Sequence, residues 1–270
     1  MTEQPTSFTP PSIVVGVDGS RFAERAALWA LDEAVGRELP LHLLAACDGP
    51  DTHRRAAAAI SSAAAAIAAD GRPVALTTDV VTAGPAAALQ AASRTAAMIC
   101  VGAVGVRHVD QPVGSTVTAL AASAHCPLAV IRGEDPGAPG WVVTELDETP
   151  DSAAVLQWAV EEARLRRAPL RVLGTWQSGR AAGPEEGSRL VRAQLDRRLE
   201  SWRHRYPDLD VEPVAVDGSG MAYLGSHASD IALIVIGARN VVAVNELLGK
   251  SGLTALPGTS VLILDRQTLL

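Results

Sequence analysis

The chain has 270 residues, enough for two domains of about 130 that each bury a core. Hydrophobic residues make up 48%, which argues against a disordered chain, and a formal net charge of −7 argues against a nucleic-acid groove or an anionic membrane as main partner. No apolar run approaches the ~20 residues of a membrane span, and the polar, proline-rich start from Met1 to Pro11 lacks the pattern of a signal peptide. These features predict a cytoplasmic protein with a disordered tail over 1–11.

Ser12–Val17 is a short β-branched run ending in Asp18-Gly-Ser20, so it reads as a buried strand and a turn. Ser20 caps a predicted helix through about Gly36, with Ala26, Ala27, Ala30, Leu31 and Ala34 on its apolar face. Leu41–Cys47 is the next strand. The alanine-rich stretch Arg54 to Ala69 is a helix ended by Gly71. Val74–Thr82 is a strand, and Pro85 to about Ala97 a helix with proline in its first turn. Met98–Val101, a helix over Gly114–Ser123 and strand Leu128–Ile131 complete a β-α-β-α-β-α-β-α-β series. That alternation predicts an α/β fold, a five-stranded parallel sheet with helices on both faces and right-handed crossovers.

The series then repeats. Trp29-Ala-Leu-Asp-Glu-Ala-Val-Gly-Arg-Glu-Leu-Pro40 returns as Trp158-Ala-Val-Glu-Glu-Ala-Arg-Leu-Arg-Arg-Ala-Pro169, and Ile99-Cys-Val-Gly-Ala returns as Ile234-Val-Ile-Gly-Ala. A repeat of about 130 residues is a whole domain, because solenoid units run roughly 20–50. The boundaries expected are 12–132 and 141–270, joined by the turn-rich linker 133–140. In the second copy Trp141–Leu146, Leu170–Trp176, Val211–Val216, Ile231–Ile236 and Val261–Leu264 are strands. Helices are expected from Thr149 to about Leu165 and over Glu185–Arg205, with a flexible loop at Gly179–Gly187. The last strand of each copy is a sheet edge, and Leu128–Ile131 is expected to pair with Val261–Leu264 within one chain. Cys47, Cys100 and Cys126 lie in or beside apolar runs without metal-ligand spacing and read as packed thiols.

In an open parallel sheet, ligands bind where the strand order reverses, outside the carboxyl ends of the strands. Asp18 follows strand one. Gly102-Ala-Val-Gly105 follows strand four, and Gly114-Ser115-Thr116 opens a helix eight residues later. Glycines let a backbone approach a phosphate. The first amides of a helix attract anions, and Ser115 and Thr116 add hydroxyls. Asp18 either accepts from a ribose hydroxyl or base amine, or caps its turn. Gly102 and Gly105 either serve a phosphate or end a strand, and Ser115 either donates to an anion or caps the helix. No nucleophile–base pair, paired carboxylates or metal-ligand cluster stands out, so dedicated catalysis is not expected.

With Val-Gly-Val-Asp18-Gly-Ser at its start and His125-Cys-Pro-Leu-Ala-Val-Ile-Arg132 at its end, the first copy resembles a universal stress protein, and the chain a tandem of two. In the family's ATP-binding branch, a glycine, two residues, a glycine, nine residues and a Gly-Ser or Gly-Thr cradle the triphosphate. The resemblance implies ATP, bare or with magnesium. Gly102 would lie by the ribose, Gly105, Gly114, Ser115 and Thr116 at the phosphates, Asp18 at the nucleoside, and Ala46 in the adenine pocket. The segment Val106 to Val113 is eight residues rather than nine, and it carries Arg107, His108, Asp110 and Pro112. In the second copy Asp147 keeps the acid and Gly237 the first glycine, whereas Asn240 replaces the second. A loop over Val241 to Leu248 is expected before Gly249-Lys250-Ser251. Lys250 is the only lysine in the chain, and it either meets a phosphate or is a surface lysine near a helix start. This is not a P-loop, since Val244 stands where the upstream glycine belongs. The implied function is adenine-nucleotide binding in stress response or signalling, and the alternative is a scaffold that has lost its ligand. Family members commonly dimerise through strand five, so a pseudo-two-fold pair of domains in one chain, and a homodimer of chains, are both expected.

Overall fold

The computed structural model describes residues 11–105, 114–132, 140–149, 151–177, 184–249, 255–265 and Thr268. The β-branched run forms strand β1 (Ile13–Gly16), and the Ser20 side chain accepts the Ala23 amide to start helix α1 (Arg21–Gly36). Strand β2 (Leu41–Cys47) leads to helix α2 (Pro50–Asp70), which stops where Gly71 takes a left-handed φ of 83°. Strand β3 (Leu76–Thr82), helix α3 (Pro85–Ala92), strand β4 (Met98–Gly102), helix α4 (Ser115–Ser123) and strand β5 (Leu128–Ile131) complete the first half.

The second half runs through β6 (Trp141–Glu145), α5 (Ser152–Leu165), β7 (Leu170–Trp176), α6 (Pro184–Arg205) and β8 (Val211–Asp217). Helix α7 (Gly220–Ser226), β9 (Ile231–Gly237), α8 (Val241–Leu248) and β10 (Ser260–Leu264) follow. All ten strands join one sheet in the order β3-β2-β1-β4-β5-β10-β9-β6-β7-β8. Pairing is parallel within each half. At the centre β5 and β10 run antiparallel, with Val130 opposite Val261 and Leu128 opposite Ile263. The expected five strands per half are therefore present, and the two edge strands cover each other.

Strand alternation divides the core. Ile13 and Val15 pack with α1, α2, α5 and α6 on one face, and Val14, Ile99 and Val101 pack with α3, α4, α7 and α8 on the other. All three cysteines are buried, and burial pushes the Cys126 thiol up to about 12.

Two stretches differ from expectation. Val241–Leu248, read as a loop, is helix α8. The Asn240 side chain accepts the Ala243 amide at 3.1 Å, and Val244 and Leu247, three apart, are buried against the sheet. Capping and an apolar stripe outweigh the glycine-motif alignment that suggested a loop. Helix α7, absent from the sequence reading, is obscured by Gly218, Gly220 and Gly225, which read as turn signals. Smaller shifts start β3 at Leu76 and α5 at Ser152.

Candidate functional site

The strand order reverses between β1 and β4 in the first half and between β6 and β9 in the second. Each reversal opens a crevice at the carboxyl ends of the strands.

In the first crevice the exposed Asp18 follows β1, and its Oδ1 accepts the Ser20 amide at 2.9 Å. Gly105 lies against it, and a Cβ on Gly105 would stand 2.7 Å from Asp18 Oδ2. The Gly114 amide donates to the Ala103 carbonyl at 3.0 Å, drawing the start of α4 back to the end of β4. Gly114, not Ser115, is the residue that caps α4. Ser115 and Thr116 therefore sit in the helix's first turn, where amides have no intrahelical acceptor. Ser115 is exposed and Thr116 half-buried. Ala46, half-buried near the end of β2, pairs with Val81 of β3. Gly102 has a packing role: a Cβ there would stand 2.6 Å from the Phe22 carbonyl carbon and 2.8 Å from the Ala23 nitrogen, inside the first turn of α1. Asp18, Gly105, Gly114, Ser115 and Thr116 thus converge, while Gly102 holds α1 against β4. Arg107, His108, Asp110 and Pro112 lie outside the described residues.

The second crevice is built differently. Asp147 Oδ1 accepts the Thr149 amide at 3.0 Å, and its carbonyl accepts Ser152 Oγ at 2.9 Å and Arg198 Nη1 at 3.0 Å. The Gly237 carbonyl accepts the Asn240 amide at 3.1 Å. The Gly249 amide donates to the Asn245 carbonyl at 2.8 Å, so it closes α8 instead of facing the crevice. Lys250 and Ser251 lie outside the described residues.

Two residues here escaped the sequence reading. The strand registers align Gly16 with Glu145 and Ala46 with Thr175. In the first half, a Cβ on Gly16 would meet Leu89 Cδ1 at 2.8 Å, so Leu89 fills that space. In the second half the Glu145 carboxylate enters it, accepting the Thr175 hydroxyl at 2.9 Å. A Cβ on Gly220 would stand 2.5 Å from Glu145 Oε2, so the bare glycine lets the carboxylate lie against the start of α7. Burial pushes the Glu145 carboxyl up, the Thr175 hydroxyl pulls it back, and Asp147 and Glu246 push it up again by like charge. The available signal was a glutamate where strand one carries a glycine.

Among the described residues no group of three or more His, Cys, Asp or Glu side chains is placed to hold a metal ion, and no helix is long and apolar enough to cross a membrane.

The model of the universal stress protein family matches residues 11–132 and again 142–256. A universal stress protein of Mycobacterium tuberculosis (strain ATCC 25618 / H37Rv) is 40% identical over 284 residues, spanning 97% of this chain and 99% of its own length. Another from the same strain is 38% identical over 256 residues, spanning 90% and 92%. Among solved structures, a universal stress protein from Archaeoglobus fulgidus DSM 4304 has the same fold, with a TM-score of 0.66 at 13% identity, covering 94% of this chain and 96% of that one.

Proposed function

Because the chain belongs to the universal stress protein family, we propose that it is an ATP-binding stress-response or signalling module whose first half holds the nucleotide. Its role is occupancy rather than turnover. One observation carries this reading: Asp18, Gly105 and the start of α4 meet at a single point of strand reversal, with Gly105 against Asp18 Oδ2. Asp18 accepts from the ribose or the base, and the bare Gly105 backbone admits the phosphates. The Ser115 and Thr116 amides and hydroxyls donate to the phosphate oxygens. Ala46 leaves room for the base.

The second half takes no triphosphate in this reading. The segment that aligns with the first half's phosphate loop is wound into α8, and the Gly249 amide is committed to Asn245. The Glu145 and Glu246 carboxylates repel a polyphosphate. The chain therefore binds one ATP.

Equilibrium dialysis of the full chain with ATP, with and without magnesium, tests the proposal. The expected result is one saturable site, lost in Gly114→Glu. A Cβ at Gly114 meets nothing closer than 3.8 Å, so the substitution begins without a clash and brings a negative charge to the start of α4. Bound ATP also raises the melting temperature, by a free energy of about 2.7 kcal/mol at a hundredfold excess over Kd. No retention up to millimolar ATP and no thermal shift would leave the scaffold reading standing instead.

A further inference from the structure

The crevice of the second half holds a cavity of about 270 Å³ that opens to solvent. Its apolar lining comes from Val143, Leu173 and Ile236 on the sheet, Met221 and Leu224 on α7, and Leu247 on α8. Glu145 and Thr175 line it from the strand ends, Asn240 stands at the start of α8, and the exposed Glu246 stands at the mouth.

The hydrogen-bonding capacity of this lining is uneven. The Thr175 hydroxyl already donates to Glu145 Oε1, and the Asn240 side chain already accepts from Ala243. Glu145 Oε2 lies against Gly220, on the cavity's edge. Every charged side chain that lines the cavity among the described residues is acidic. A carboxylate partly withdrawn from water beside apolar walls is stable when a cation meets it. Metal ligation does not suit these walls, and no metal-holding cluster is present among the described residues.

The first half has no counterpart to this chemistry. Gly16 and Ala46 stand at the places of Glu145 and Thr175, and Leu89 packs over Gly16. The exchange of glycine for glutamate and alanine for threonine converts one floor into the other. The cavity of about 270 Å³ has room for a compact ligand, and its acidic lining disfavours a polyphosphate.

We propose that this cavity is a binding site for a small primary ammonium carried on a short aliphatic chain. The ammonium donates to the Glu145 carboxylate, with Glu246 adding attraction at the mouth. The aliphatic part lies against Leu224 and Leu247. The site is separate from the nucleotide crevice, so one chain reads two ligands of opposite charge through homologous halves.

Titration calorimetry of the full chain with n-butylammonium chloride tests this, with n-butanol and sodium butyrate as probes of equal size. Butylammonium is expected to bind saturably and more tightly than either. Glu145→Gln keeps the shape and the threonine contact, and is expected to weaken butylammonium about tenfold or more, the value of a charged hydrogen bond. Ala243→Leu fills the cavity from α8 while keeping the carboxylate, and is expected to abolish binding even if the glutamine variant folds poorly. Gly114→Glu is expected to leave butylammonium binding unchanged, which separates this site from the ATP proposal. Absence of butylammonium binding, equal binding of butanol, or unaltered affinity in a folded Glu145→Gln or Ala243→Leu protein would overturn the assignment.

Discussion

Gly105 and Asp18 lie against each other in the first crevice. Asp18 uses Oδ1 to hold its own turn through the Ser20 amide and turns Oδ2 toward the Gly105 backbone. Any side chain at 105 has to displace that carboxylate, whose flexible end sits at the exposed rim. Gly105→Ala is therefore expected to lower ATP affinity about tenfold while changing stability by no more than about 0.5 kcal/mol. A double-mutant cycle identifies the route of the effect. If the methyl acts by moving Asp18, adding Gly105→Ala to Asp18→Ala costs no further affinity in the same dialysis experiment. Additive losses would assign Gly105 its own contact with the phosphates and remove Asp18 from the explanation. Gly102 illustrates the opposite case. It sits in the same glycine motif, yet its missing side chain makes room for the α1 backbone.

Helix α8 marks where elements were and were not legible in the sequence. The strands and the long helices were readable because β1 and β2 are short apolar runs bounded by turn residues, α1 keeps a period-3.6 apolar face and α2 is rich in alanine. Asp18 and the Gly114-Ser115-Thr116 start were readable because turn and helix-start residues are chemically distinctive. Val241–Leu248 was misread because the glycine motif of the first copy was laid over it, although Val244 and Leu247 carry a helical interval and Asn240 is a good cap. Glu145 and Thr175 were missed because both end strands that read as core, and only the paired registers show which first-half residues they replace. The cap carries its own test. Asn240→Ala removes the acceptor for the Ala243 amide and is expected to cost about 1 kcal/mol in urea unfolding, whereas Asn240→Gly costs only a few tenths. Equal losses for the two variants would show that packing alone holds α8.

At the scale of the whole molecule, the repeat of Trp29–Pro40 in Trp158–Pro169 acquires a physical reason. These segments place α1 and α5 side by side across the seam between β5 and β10. Glu33 accepts from Arg37 at 2.8 Å and from Arg166 at 2.6 Å, while Glu162 accepts from Arg37 at 2.7 Å and from Arg166. Each guanidinium also lies over the other half's indole, Arg37 at 4.4 Å from Trp158 and Arg166 at 4.3 Å from Trp29. Both carboxylates are fully buried. Burial pushes the Glu162 carboxyl up to about 8, and the neighbouring Glu33 adds to the push against the pull of the arginines. Burial also works against ionisation of Glu33, but Arg166 and Arg37 hold it below the ordinary range. The pseudo-two-fold makes the two carboxylates near-equivalent, so the pair loses one proton early and shares the second into the neutral range.

The sign of the resulting pH dependence follows. The retained proton has a higher pKa folded than unfolded, so its stabilisation is full below about 4.5 and is lost as pH rises through about 8. The early proton acts on the acid side, where stability falls as pH drops below the ordinary carboxylate range. Urea unfolding from about pH 5 to about pH 9 should therefore show stability declining with pH. Glu162→Gln leaves one carboxylate between two arginines, which titrates low, and is expected to flatten that decline. Glu33→Gln is expected to do the same, because either partner can hold the shared proton. Glu162→Ala, which opens a gap and removes the acceptor for Arg37 and Arg166, is expected to cost about 3 kcal/mol. A full decline persisting in both glutamine variants would place the titrating group elsewhere and reduce the α1–α5 cluster to a static clasp between the halves.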